Sequence, residues 1–142
     1  MDDYIKKEIL LTGNDLTLND LVHASRQLKP RVQINNDCFS KMSRNRKFAE
    51  KLAHRGDQVY GLTTGVGVRK NRLIPEKEMD AYNEKMLRDH ATGQGDMLPY
   101  YIVHASTILL LNSLAAGRSN VRPEVAKLLL ENLRQGRHYL NV

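Results

Sequence analysis

The sequence predicts a mainly α-helical chain, and three observations carry that expectation. Apolar residues recur at three- and four-residue spacing in five separate stretches, the signature of a helix with one buried face. Glycine and proline fall between those stretches rather than inside them. Extended character is confined to two short pieces, near Ile9–Leu11 and Val59–Leu62.

The elements follow in order. Ile9-Leu10-Leu11 reads as a short strand before a turn at Gly13-Asn14-Asp15. Thr17 suits an N-cap, and Asp20 in the following turn complements the helix dipole. Leu18, Leu21, Val22, Ser25 and Leu28 keep helical spacing up to Pro30. Asn36 or Asp37 caps a second helix, with Phe39, Met42, Phe48, Ala49, Leu52 and Ala53 as its core positions, ending near Gly56. The stretch Val59 to Gly67 contains three glycines in seven residues, Gly61, Gly65 and Gly67, each costing a helix about 1 kcal/mol. It therefore reads as an extended piece entering a tight loop.

Pro75 fits the first position of a third helix, with Glu76 and Glu78 in its first turn. Its apolar face is Met79, Tyr82, Met86, Leu87 and His90, and Gly93 and Gly95 end it. The fourth helix, about Pro99 to Ala116, is apolar over most of its circumference and must be buried in a larger core or an interface. Gly117 is its expected C-cap. Pro123 opens a fifth helix with Val125, Leu128, Leu129 and Leu133 inward and Gly136 after it, and the chain ends in an apolar, extended Tyr139-Leu140-Asn141-Val142.

Composition narrows the function classes. Hydrophobic residues at 41% and charged residues at 27% of 142 are those of a globular domain, which excludes a disordered chain. The net charge of +6 is dispersed, and its one cluster, Lys41, Arg44, Arg46, Lys47 and Lys51, lacks the stacking aromatics of a nucleic-acid site. It reads as a solvated helix face, with no nucleic-acid partner expected. A single cysteine, Cys38, excludes an intrachain disulfide and suits a reducing compartment. No Cys/His spacing suggests a metal. The longest apolar run, Ile108–Leu111, is far short of a membrane span. A cytoplasmic protein without a membrane partner is expected.

Three features hold candidate chemistry. The Tyr60–Gly67 loop lacks the Gly-Lys-Ser/Thr ending of a phosphate loop, and its Gly65-x-Gly67 pair has no third glycine at dinucleotide spacing. Alone it is an ordinary turn. His90 alone is a core histidine on an apolar face. Ala115 to Pro123 alone is a connection between helices with two exposed arginines.

Taken in order, these segments resemble the aromatic amino acid ammonia-lyase family, which includes histidine, phenylalanine and tyrosine ammonia-lyases and the related aminomutases. Four motifs carry the resemblance: Leu11 to Val22, Val59 to Gly67, Asp89-His90-Ala91-Thr92-Gly93-Gln94-Gly95, and Leu111 to Arg122. They span essentially the whole chain, so residues 1–142 correspond to the N-terminal helical part of the ammonia-lyase (fumarase/aspartase-like) fold, without the prosthetic-group and C-terminal helical-bundle segments.

The resemblance implies non-oxidative deamination of an aromatic amino acid to an α,β-unsaturated acid and ammonia, with a homo-oligomer, a tetramer in the family, as the working form. It implies Tyr60 as the base that takes a β-proton, Gly61, Thr63, Thr64, Gly65 and Gly67 as the active-site loop, and His90 with Asp89 as substrate contacts. A phenol in water gives up its proton only near pH ~10. A tyrosine base therefore needs cations or helix N-termini aimed at its oxygen, and burial alone pushes the wrong way. The imidazole at position 90 favours histidine or tyrosine over phenylalanine as the amino acid substrate.

Departures from the family pattern are Val66 for a usual Phe, Asp89 for a usual Ser, Asn120 for a usual Gly, and His104 and Leu110 in place of arginines. The family's electrophile is a methylidene-imidazolone made from an Ala-Ser-Gly triplet. No such triplet occurs in this sequence, so this chain carries no cofactor of its own and is expected to be inactive as a lone N-terminal fragment. The alternatives are a non-catalytic helical interaction module derived from a lyase, or an aminomutase of the same family.

Overall fold

The structure is a computed structural model that describes residues 8–137. The expected extended ending at Tyr139–Val142 lies outside the described residues. The elements are β1 (Ile9–Leu11), α1 (Leu18–Ser25), β2 (Val32–Ile34), α2 (Asn36–His54), α3 (Met79–His90), α4 (Tyr100–Ala115) and α5 (Pro123–Arg134), with short 3-10 turns at Gly67–Arg69 and Glu76–Glu78. The chain divides into two compact units. One comprises the residues up to Arg46 together with those from Gly95 onward; the other is Lys47–Gln94.

In the first unit, β1 and β2 pair in parallel, with Ile9 opposite Val32 and Leu11 opposite Ile34. A parallel pair needs a crossover connection, and α1 supplies it. The side chains alternate, so Ile9, Leu11, Val32 and Ile34 all enter the core while Leu10 and Gln33 face outward. β2 is not predicted from the sequence, because two apolar residues in three are too short a period to register. Thr17 caps α1 as expected: its hydroxyl oxygen accepts the Asp20 N–H and its hydroxyl donates to the Asp20 carboxylate at 2.7 Å.

The helix α4 is the centre of this unit and packs against α1, α5 and both strands. Ile108 and Leu111 are wholly buried on it, and His104 is buried with Nδ1 3.2 Å from the Ser25 carbonyl. The helix is not buried all round, however. Tyr101, Ile102, Leu109 and Leu110 form an exposed apolar face. Gly117 ends α4 with φ +74°, and Asn120 adopts φ +54°, a left-handed conformation that asparagine tolerates. Pro123 opens α5 as expected.

Several expected core positions face outward. On α1 the expected Ser25 is buried, with Ala24 beside it, and Leu21 packs against the core, but Leu18 and Val22 are exposed, as is Leu28, which lies past the helix end. Val125 and Leu128 are exposed while Ala126 and Leu133 are buried, so the inward face of α5 is rotated by one position. Phe48 is exposed, unlike the half-buried Phe39, whose ring faces the Lys127 ammonium at 5.5 Å. The basic residues Lys41, Arg44, Lys47 and Lys51 lie on the exposed side of α2. Among the described residues no helix is long and apolar enough to cross a membrane.

Candidate active site

The second unit holds every residue singled out in the glycine loop and α3. Gly56, with φ +74°, takes the chain out of α2. Val59–Leu62 is a turn rather than the expected extended piece. The reason is local: the Val59 carbonyl accepts the N–H groups of Leu62, Thr63 and Thr64 at 3.0, 3.0 and 3.3 Å, and Gly61 takes φ +69° to close the curl.

Thr63 fixes this turn from beneath. Its buried hydroxyl donates to the Asp57 carbonyl at 2.6 Å and accepts the Val59 N–H at 2.8 Å. Thr64, also buried, donates to the Gly65 carbonyl at 3.1 Å. Tyr60 therefore rides on a rigid turn, two-thirds exposed, and its hydroxyl has no hydrogen-bond partner among the described residues.

Beyond the turn the chain doubles back. Thr64 bridges Leu73 in antiparallel fashion, the Gly65 N–H donates to the Arg72 carbonyl at 3.0 Å, and the Ile74 N–H donates to the Thr63 carbonyl at 2.9 Å. Gly65 is required by space: a Cβ there would lie 2.7 Å from the Arg69 carbonyl oxygen. The Val66 N–H donates to the Tyr82 hydroxyl at 3.3 Å, tying the loop to α3. Tyr82, expected as plain core, is thus a loop anchor.

Asp89 and His90 end α3 and are both exposed. Lys85 holds the Asp89 carboxylate through both oxygens, at 3.0 and 2.8 Å. Nδ1 of His90 lies 2.8 Å from the Met86 carbonyl, which can only accept, so Nδ1 carries the hydrogen. No hydrogen bond or ion pair among the described residues joins Tyr60 to Asp89 or His90. The loop and the helix each present their functional groups outward, and the surface they offer is open.

An aromatic amino acid lyase family model matches residues 16–138. The chain belongs to the aromatic amino acid lyase family. Curated relatives include histidine ammonia-lyase from Gloeobacter violaceus, 36% identical over 130 residues, which covers 92% of this chain and 25% of that protein. Histidine ammonia-lyase from Alkaliphilus oremlandii is 31% identical over 132 residues, 93% of this chain and 26% of its own length. Among solved structures, the ergothioneine-degrading enzyme ergothionase from Treponema denticola superposes with a TM-score of 0.83 at 27% identity, over 90% of this chain and 26% of that one. The chain thus spans about a quarter of the length of the relatives it matches.

Within this lyase family chain, the mainly helical fold is the one its structural relatives share over the matched part. Helical spacing predicts an inward Tyr82 ring but does not reveal its hydroxyl's partner, the Val66 N–H.

Proposed function

We propose that this chain supplies the proton-abstracting segment of an aromatic amino acid lyase acting on histidine or tyrosine. The observation that carries the reading is Tyr60: a phenol with no hydrogen-bond partner among the described residues, on a turn locked by Thr63, in a chain of this family. In the reaction the Tyr60 oxygen, in its phenolate form, takes a proton from the substrate β-carbon, the C–H electron pair becomes the Cα–Cβ double bond of the acid product, and the amino group leaves the α-carbon as ammonia, taking the C–N bond pair. Because Nδ1 of His90 is satisfied by Met86, its Nε2 is left as an acceptor for a ring N–H or phenol O–H on the substrate. Histidine and tyrosine provide such a donor and phenylalanine does not. Asp89, paired with Lys85, acts beside His90 as a second polar contact.

In the family a methylidene-imidazolone supplies the electrophile that draws off the amine. With no Ala-Ser-Gly in the sequence, this chain has no precursor for the group. The chain by itself is accordingly inactive, and its working form is a homo-oligomer completed by further polypeptide. A cytoplasmic setting suits its single free thiol, Cys38.

The test is a hybrid in which this chain replaces the matched quarter of the Gloeobacter violaceus histidine ammonia-lyase. The hybrid is expected to release the unsaturated acid from histidine or tyrosine, followed by absorbance, while the chain alone releases none. Product analysis by chromatography separates lyase from aminomutase chemistry, since a mutase returns a β-amino acid. A folded hybrid that is silent on both amino acids, or a lone chain that forms product, contradicts the reading.

A further inference from the structure

The second unit contains a groove, about 270 Å³ in volume, between the Gly65–Pro75 loop and α3. We propose that this groove binds a small aryl carboxylate, at a site separate from Tyr60, Asp89 and His90, none of which line it.

Its chemistry is two-sided. Leu73, Ile74, Pro75 and Ala81 give it apolar walls, and the ring of Tyr82 adds a flat aromatic surface. Tyr82 is fixed, because its hydroxyl accepts the Val66 N–H. Arg69 and Arg72 stand at the loop side, and neither has a carboxylate partner among the described residues. A guanidinium presents a planar fork that matches a carboxylate through two parallel hydrogen bonds. Lys85 also lines the groove, but Asp89 already neutralises it.

Two features limit the ligand. The volume lies just under the roughly 300–1,000 Å³ of ordinary small-molecule pockets, which admits a single ring and excludes a nucleotide. Glu78 lines the groove on the α3 side and opposes a second negative charge. A monoanion with an apolar ring satisfies both. The shape depends on Gly65, whose lack of a side chain lets the Arg69 turn close against the loop.

The experiment is calorimetric titration of the full 142-residue chain with trans-cinnamate, cinnamyl alcohol and inorganic phosphate. Cinnamate is expected to bind at least tenfold more tightly than the alcohol or phosphate. The Arg69→Ala/Arg72→Ala variant is expected to lose at least tenfold in cinnamate affinity. Ala81→Phe, which fills the groove from the helix side, is expected to do the same, and Tyr60→Phe to bind as the parent does. Circular dichroism confirms that each variant is folded. Absence of cinnamate binding by the folded parent overturns the proposal. So does undiminished binding by both groove variants, or loss of binding in Tyr60→Phe.

Discussion

The Thr63 hydroxyl lies 2.6 Å from the Asp57 carbonyl and 2.8 Å from the Val59 nitrogen, donating to the first and accepting from the second. One buried side chain thereby closes the turn that carries Tyr60. Replacing it with the isostere, Thr63→Val, leaves a part-buried carbonyl and a part-buried N–H unpaired, a penalty of about 1–3 kcal/mol each at most. Urea unfolding is expected to show a loss of about 2 kcal/mol or more, and Thr63→Ser to recover most of it. Equal stability of the Val variant and the parent contradicts this role.

Two glycines with left-handed backbone separate strain from space. At Gly56 a Cβ meets nothing within 4 Å, so Gly56→Ala carries only the conformational penalty, about 1–2 kcal/mol. At Gly13 the Cβ would lie 2.5 Å from the backbone of Ala116, and its N–H donates to Asn112 Oδ1 at 3.1 Å. Gly13→Ala adds overpacking to strain and is expected to cost about 3 kcal/mol or more. Thermal melts of the two variants give the comparison.

The two sides of α4 are expected to respond oppositely. Leu111 is wholly buried, so Leu111→Ala destabilises by about 2–5 kcal/mol. Leu109 and Leu110 are half exposed, and Leu109→Lys/Leu110→Glu is expected to change stability by less than ~1 kcal/mol. Because an exposed apolar face promotes association, light scattering is expected to show less self-association in that double variant. Unchanged association would mean the face stays uncovered in solution.

Cys38 gives a pH dependence. Burial pushes its thiol above the ordinary value, outweighing the nearby Lys41 ammonium, which lowers it; Asp37 adds to the rise. The folded chain therefore holds this proton more tightly than the unfolded chain. The resulting stability is complete below the unfolded thiol's range and is lost as pH rises through the folded value, above about pH 9. Iodoacetamide alkylation followed against pH is expected to have a midpoint above that of free cysteine. A midpoint at or below it contradicts the burial argument.

The parts legible in the sequence were those governed by local rules. Thr17, Pro123 and Gly117 mark helix ends through capping, fixed φ and left-handed backbone, and each sits where the residue type places it. The parts that were not legible depend on contacts distant in sequence. The β1–β2 pair joins residues more than twenty apart, and three-residue strands carry no period of their own. Which face of α5 is buried is decided by α4, not by the spacing of its leucines. For the candidate site, the Tyr60 turn was legible as a glycine loop, but its curl around the Val59 carbonyl was not, because Val-Tyr-Gly-Leu has strand-forming residues that the left-handed Gly61 and the buried Thr63 together override.

The most direct test of the central claim is the rate of deamination by the hybrid enzyme with and without the Tyr60 hydroxyl. Tyr60→Phe removes one oxygen that makes no hydrogen bond among the described residues, so the fold is expected to be unaffected. The variant is expected to lose at least ~10²-fold in kcat, the range of a positioned general base, with substrate binding largely kept and no wash-in of solvent deuterium at the β-carbon. A Phe variant that deaminates at the parent rate would show that the proton is taken elsewhere.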